Sequence, residues 1–381
     1  MAKKAPLIET ISLKDLEVAP SQIWGAVRLV PLIRKRSRVD LRLFKRNYNS
    51  DLAVVSVEKD LKYISYVPHG LVLNWSNDGS PVVATGGQLL TEGKKYACGP
   101  ARIQLLHRMA KREQKNALRL LPLHLAMEGF LGMFFNGPDI AWSEYSRQAL
   151  SQGLSPRVEW SIAGRGINKL GDALRLFEIH ENQVGVLLFV SEILASAFIV
   201  PTPEDYRALH GSLIEDFYGE TFYYHGMYGN ASELVATIDE NRINSLQDLS
   251  TALLEMRSQH ANFQSFMASD LLDRTVKSQR VYQIGSFGVQ RFITDLAFDR
   301  VNYIGEAILD DRSYLQYLKI YGLSKAQTKR IHCLQQLSRY DWNFERTAKA
   351  QGDTVEQLVR RMEKLGFGYL INNRLREQYL K

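Results

Sequence analysis

Apolar residues recur along this chain with two periods, and each period predicts a different element. Trp24 to Ile33 is a near-continuous apolar run that reads as one buried strand, ending in the basic cluster Arg34-Lys35-Arg36-Ser37-Arg38. Val39 to Phe44 alternates apolar and polar positions, as a half-buried strand does, and Leu52–Val57, Tyr63–Val67 and Leu71–Trp75 continue the pattern. Asn77-Asp78-Gly79-Ser80-Pro81 is a turn signal, followed by short strands at Val82–Ala84 and Gln88–Leu90. Pro100 to Leu118 has helical spacing in part. A strand-loop-strand reading stays open there, because Leu118–Leu125 is apolar around Pro122. A short helix is expected at Ser143–Ser151, a strand at Val158–Ala163 and a helix at Asn168–Leu174. Val184 to Val200 is the longest apolar run. It is shorter than the ~20 residues of a membrane-spanning helix and carries Glu192 at its centre, so it reads as two strands joined at Ser191-Glu192. Pro203–Phe217 follows as an amphipathic helix, with Thr202 as its cap and Pro203 in the first helical position.

Asn230–Asp273 reads as helical and polar. Val281–Ile293 and Tyr303–Leu309 read as strands, Asp310-Asp311-Arg312-Ser313 as a turn, and Tyr314–Tyr321 pairs back to give a small meander. Three helices are expected after it. Ser324 caps the first, Lys325–Ser338; Asn343 caps a short second, Phe344–Gln351. Gly352 makes a turn, Asp353 or Thr354 caps a third that runs to Leu365, and Gly366 ends it. The expected class is α+β: a mostly antiparallel, β-rich N-terminal domain with a few helices at 1–228, a helical connector at 229–275, a small β-meander at 276–322 and a three-helix unit at 323–381.

Within that last unit, Phe344, Ala348, Val355, Leu358, Met362 and Leu365 recur at helical spacing and would bury the inner faces of a helix pair. The string from Tyr340 to Leu358, and Arg360-Arg361-Met362-Glu363-Lys364-Leu365-Gly366-Phe367 after it, is similar to the Fis-type helix-turn-helix. Ala348, Gly352, Leu358, Leu365 and Gly366 match its packing alanine, turn glycine and closing leucine and glycine. The resemblance implies a last helix lying in the major groove, with its N-terminal side chains at base edges. Thr354 and Gln357 are then the candidates for base contact, and Arg360, Arg361 and Lys364 for phosphate contact. Asp353, Glu356 and Glu363 dilute the positive face, and units of this shape also serve as packing caps or protein docking sites. DNA and a protein partner both stay open.

Charge sharpens this picture. The formal net charge of +7 is unevenly spread. Ser313 to the end holds 13 Lys/Arg against 6 Asp/Glu, Met1–Tyr48 holds 11 against 4, and Asn49–Arg312 holds 24 against 31. Two basic ends flank an acidic centre, which suits a polyanionic partner, although solvated faces also give such counts. Two cysteines, Cys98 and Cys333, form no paired motif, which argues against a disulfide scaffold or a cysteine zinc site and for a reducing cytoplasm. Lys3 and Lys4 precede no apolar block, so no secretory signal is read, and no membrane segment is expected.

A second resemblance covers Ile23 to Phe217. Asn182-Gln183-Val184-Gly185-Val186-Leu187-Leu188-Phe189-Val190, the following hairpin through Phe198 and the helix from Pro203 resemble the ARPP domains, the ARG-and-rhodanese-phosphatase-superfamily-associated proteins of bacteria. Gly86-Gly87-Gln88-Leu89-Leu90-Thr91-Glu92-Gly93 is similar to a turn of that family, and Glu128-Gly129 stands where the family has a glutamate and a glycine. Ala126 and Met127 occupy the place of the family's cysteine, and its tryptophan and arginine are not matched in register. The resemblance implies association with nucleotide-linked, ADP-ribose or phosphoester chemistry in bacteria. It supplies no catalytic residues.

The candidate chemistry is thin. Gly164-Arg165-Gly166 lacks the third glycine of a dinucleotide loop, because Lys169 holds that position, and a Walker pattern fails too. Glu178 and His180 alternate onto one strand face beside Glu181 without a second ligand group, so no metal and no cofactor are expected. Asn136-Gly137-Pro138-Asp139 with Trp142, Glu144, Tyr145 and Arg147 concentrates polar and aromatic groups beside a turn. A small-molecule pocket, if present, is expected at Glu128, Asp139, Trp142, Glu144 and Arg165. The expectation is therefore a non-enzymatic bacterial sensor or scaffold with a terminal partner-binding unit, able to form a homo-oligomer. The alternative is a nucleotide- or phosphoester-processing enzyme with its site among Glu128, Asp139, Glu144 and Arg165.

Overall fold

The computed structural model describes residues 5–37, 41–43, 54–58, 61–64, 71–74, 81–83, 88–91, 94–97, 134–135, 177–214, 218–223, 228–231 and 238–380. The elements expected over 100–125, 143–151, 158–163 and 168–174, and the turn at 77–80, lie outside these residues.

The first strands are β1 (Glu17–Val18), β2 (Gln22–Trp24), β3 (Val27–Ile33) and β4 (Leu41–Leu43). Trp24–Ile33 is thus not one strand. The chain folds at Gly25-Ala26, where Gly25 takes φ +57°, and β2 pairs back on β3. β5 (Val54–Glu58) to β10 (Lys94–Ala97) form three small antiparallel sheets with β4, namely β4-β7-β8, β5-β6 and β9-β10; between those ends lie β6 (Leu61–Ile64), β7 (Leu71–Asn74), β8 (Pro81–Val83) and β9 (Gln88–Thr91). β10 had no counterpart in the sequence reading.

The apolar run around Glu192 forms a hairpin, β11 (Gln183–Val190) and β12 (Ile193–Ile199). Ser191 and Glu192 both adopt positive φ, at 48° and 57°, the backbone that a two-residue hairpin turn demands. Helix α1 (Pro203–Ser212) begins as its sequence predicts: the Thr202 hydroxyl accepts from the Asp205 amide, and Pro203 opens the first turn. The short α2 (Gly219–Tyr223) follows, then a single 3-10 turn at Glu240–Arg242, α3 (Leu246–Met267) and α4 (Ser269–Leu272).

The strand expected at Val281–Ile293 is instead a second hairpin, β13 (Val276–Ile284) and β14 (Phe287–Thr294), bent at Gly285-Ser286. Ile284 opposes Phe287 across the turn, so the alternation of side chains reverses there, and Gly285 takes the first turn position at φ +52°. β15 (Asn302–Leu309) and β16 (Leu315–Leu323) complete the meander. The turn between them is tied by Asp310, whose carboxylate accepts from the Arg312 and Tyr314 amides at 2.9 Å each.

β16 pairs with β12, opposing Lys319 to Phe198, so the strands of 276–322 are continuous with those before residue 228. They make one antiparallel nine-stranded sheet in the order β1-β3-β11-β12-β16-β15-β14-β13, with β2 also on β3. The fold is α+β.

Alternation assigns each strand's side chains to two buried faces. The first carries Val186, Leu188, Phe198, Val289, Ile293, Ile304, Ile308, Tyr317 and Tyr321. It is packed with Tyr206 and Leu209 of α1, Phe222 of α2, Phe134, Phe135 and the C-terminal helices. The second carries Leu187, Phe189, Ala197, Phe292, Tyr303, Leu318 and Ile320, and is covered by Ile8 and Ile11 of the N-terminal segment and by Ala268 and Leu271 around α4. The N-terminal segment is fastened there by polar side chains: the Gln290 amide accepts from Ile8 N at 2.8 Å, and the Ser278 hydroxyl donates to the Ile8 carbonyl.

Candidate functional site

After β16 the chain forms α5 (Lys325–Arg339), α6 (Phe344–Ala350), α7 (Val355–Lys364) and α8 (Asn373–Tyr379). α8 is a fourth helix beyond the three expected, begun by an Asn372 cap. α5 opens with a capping box in which the Ser324 hydroxyl accepts from Gln327 N and the Gln327 side-chain Oε1 accepts from Ser324 N. It leaves through Asp341 and Trp342, both at positive φ. Asn343 caps α6. Gly352, at φ +71°, turns the chain, and Asp353 N donates back to the Ala348 carbonyl at 2.9 Å. Thr354 caps α7 with a second capping box to Gln357, and Gly366 at φ +78° ends it.

The α6–α7 pair buries Ala348, Leu358, Val359 and Met362 together with Phe367, and Phe344, Val355 and Leu365 pack at its margin. The same core takes in Ile331, Leu334 and Leu337 of α5. With one face of α7 sealed, Thr354, Gln357, Arg360 and Lys364 are left exposed and Arg361 partly so.

These five side chains are not equivalent. Thr354 and Gln357 are spent partly on each other in the capping box, at 3.2 and 2.8 Å. Arg360 lies 2.9 Å from Glu356, one turn back, with 58% of its side chain exposed. Arg361 donates to the Gln351 side-chain Oε1 at 2.6 Å and pairs with Asp353, bracing the turn. Its charge partly opposes the burial that pushes the Cys333 thiol up to about 11. Lys364 makes no hydrogen bond or ion pair among the described residues. The acids of α7 and of the turn before it are engaged: Glu356 by Arg360, Asp353 by Arg361, and Glu363 by Arg376 at 2.9 Å.

The pocket candidates Glu128, Asp139, Trp142, Glu144 and Arg165 lie outside the described residues. Glu178 is exposed, its backbone N donating to the Gln22 side chain at 2.7 Å, and His180 N donates to the Gln183 side-chain Oε1 at 3.1 Å. Among the described residues no group of three or more His, Cys, Asp or Glu could hold a metal ion, and no helix is long and apolar enough to cross a membrane.

A different constellation stands on the first sheet face. Arg291, Glu306 and Lys319 occupy one register line across β14, β15 and β16. Glu306 Oε1 accepts from Arg291 Nε at 3.3 Å, and Oε2 lies 3.3 Å from Lys319 Nζ. Burial alone would raise the Glu306 carboxyl, but Lys319 and Arg291 hold it below its usual value. Tyr317 and Tyr321 are pushed well up by burial and by the Glu306 charge. Nearby, the Tyr218 hydroxyl donates to Ser196 Oγ at 3.1 Å. Buried ionisable groups so clustered are a mark of functional sites, though structural ion networks share it. Their sequence signal was available: Arg291, Glu306 and Lys319 each interrupt an apolar strand on its core-facing phase, where a charge is costly.

No curated protein and no solved structure matches the chain. The ARPP-2 family matches residues 11–285, from the N-terminal segment to the turn of the β13–β14 hairpin. The match takes in most of the chain and stops short of the C-terminal helices, and the protein belongs to the ARPP-2 family.

Proposed function

We propose that this ARPP-2 protein is a non-enzymatic bacterial sensor or scaffold that contacts DNA through its C-terminal helices, read as a Fis-type helix-turn-helix. The observation that carries the reading is the division of α7: Leu358, Val359 and Met362 are fully buried, while Gln357, Arg360 and Lys364 face outward. A helix held by one face on its neighbours, with cations on the other, has the form needed to enter a major groove. Thr354 and Gln357 stand at the end that would meet base edges, and Arg360 and Lys364 further along would meet phosphates. Arg346 and Lys349, exposed on α6, extend the cationic surface. The buried free thiol of Cys333 is compatible with the reducing cytoplasm in which such a protein would work.

A protein partner is the second reading, and the pairing of Glu356, Asp353 and Glu363 with arginines favours it, since a surface that neutralises its own cations is less attractive to a polyanion. Fluorescence anisotropy with labelled duplex DNA over a salt series separates the two. The DNA reading expects log affinity to fall linearly with log salt, and Arg360→Ala with Lys364→Ala to lessen the slope by about one unit each. Absence of binding at low salt, or affinity indifferent to salt, overturns it in favour of a protein partner.

A further inference from the structure

The charged line on the first sheet face has a use that goes beyond the C-terminal surface. We propose that Arg291, Glu306 and Lys319 form the floor of a pocket for a small organic anion, a carboxylate or phosphate attached to an apolar or aromatic body.

Lys319 carries the argument. Its ammonium has three N–H donors, yet among the described residues its one ionic partner is Glu306, which it shares with Arg291. The Tyr321 ring lies 5.9 Å from Nζ. Lys319 is 6% exposed, and burying an ammonium with so few acceptors is expensive unless another acceptor arrives. Glu306 cannot relieve it by taking a proton, because its carboxyl is held ionised.

There is also accessible surface at the line. The apolar strand neighbours Phe198, Ile304 and Ile308 are 0% exposed. Arg291, Glu306 and Lys319 retain 5%, 7% and 6%, and Phe134 and Phe135 retain 8% and 5%. The two phenylalanines belong to the same core as Tyr317, and the Phe134 carbonyl accepts from Gln279 Nε2 at 2.9 Å. Gln279 opposes Arg291 across β13 and β14 and is itself exposed, so the line runs from the core to an exposed strand. Charged groups beside aromatic side chains of one core suit a ligand with an anionic head and an apolar body. Glu306 adds selectivity, since an anion beside it must offer a hydrogen-bond donor or keep to the Lys319 side.

Benzoate and phenyl phosphate are suitable probes, with benzyl alcohol as the neutral control. Thermal shift and calorimetric titration of the full chain should show saturable binding of at least one anion and none of the alcohol, and which anion binds more tightly names the head group. Lys319→Met should weaken that binding at least tenfold while leaving the free protein as stable or more so, because Glu306 keeps Arg291. Lys319→Gln serves if the methionine variant does not fold, and should weaken binding likewise. Arg360→Ala and Lys364→Ala should leave anion binding unchanged, which keeps the test apart from the DNA reading. Neither anion binding, or equal binding by the Lys319 variants, overturns the proposal and leaves the three residues as a structural ion network.

Discussion

His210 of α1 shows how one residue can couple this fold to pH. Its Nδ1 lies 3.1 Å from the Tyr206 hydroxyl, while Nε2 is enclosed without a hydrogen-bond partner among the described residues. Burial lowers its pKa to about 4. The unfolded chain therefore takes up a proton near pH 6.5, whereas the folded protein resists it until about pH 4, so stability is full above pH 6.5 and is lost as pH falls through that window. The loss by pH 5 is about 2 kcal/mol. Urea unfolding at pH 7.5 and pH 5.0 should show it in the native protein and not in His210→Phe, which keeps the ring volume without a titrating nitrogen. Equal pH dependence in both proteins would assign the loss to other groups. The sequence displayed His210 only as an isolated histidine, because burial is set by packing that its neighbours in sequence do not announce. Gly305 is a similar case: a Cβ there would stand 2.6 Å from the Phe292 ring and from the Lys319 carbonyl, a requirement set across two strand pairs and invisible in the local sequence.

Elements were more legible than residues wherever their signal is local. Thr202, Ser324 and Asn343 cap the helices that their positions announce, and of Asp353 and Thr354 it is Thr354 that caps α7, because a cap needs only the first turn of its own helix. The turns at Ser191-Glu192, Asp310–Ser313 and Gly352 were readable for the same reason. Gly285-Ser286 is an equally local signal, and reading the apolar residues on either side as one strand passed over it. Arg291, Glu306 and Lys319 were legible one by one, as charges within apolar strands, but their line exists only once three strands take their register. The five α7 candidates do share one side of their helix, but their roles divide on contacts that spacing alone cannot show. Arg361 belongs to the turn more than to the surface, holding Gln351 and Asp353. Arg361→Ala should therefore lower the unfolding midpoint, with a cost of about 1–2 kcal/mol for the lost charged hydrogen bonds, and Thr354→Ala should cost about 1 kcal/mol for its cap. Arg360→Ala should leave the midpoint nearly unchanged, as its pair with Glu356 is exposed. Denaturant midpoints of the three variants test this, and an Arg360 effect as large as that of Arg361 would refute the division.

At the scale of the molecule, the question is whether the C-terminal helices are an appendage or part of the main body. The family match ends at residue 285, yet β14, β15 and β16 complete the nine-stranded sheet, and α5 follows β16 directly. Ile331, Leu334 and Leu337 of α5 lie in one apolar cluster with Ile293, Ile304 and Tyr321 of the sheet. Asn302 Nδ2, at the start of β15, donates to Thr328 Oγ1 of α5 at 3.2 Å, and the Phe298 and His332 rings meet edge-on at 5.4 Å. A cluster shared in this way should open only when the sheet opens, because exposing one side exposes the other. Native-state hydrogen exchange is the direct measure. The amides of Ile331, Leu334 and Leu337 should exchange with the same free energy and denaturant dependence as those of Ile304 and Leu318. A lower exchange energy for α5 through α7, independent of the strands, would instead make them a separable module. Joint opening has a consequence for function: a partner bound on α7 and an anion bound on β16 would each stabilise the same folded body, so occupancy of one site should raise the resistance to unfolding measured at the other.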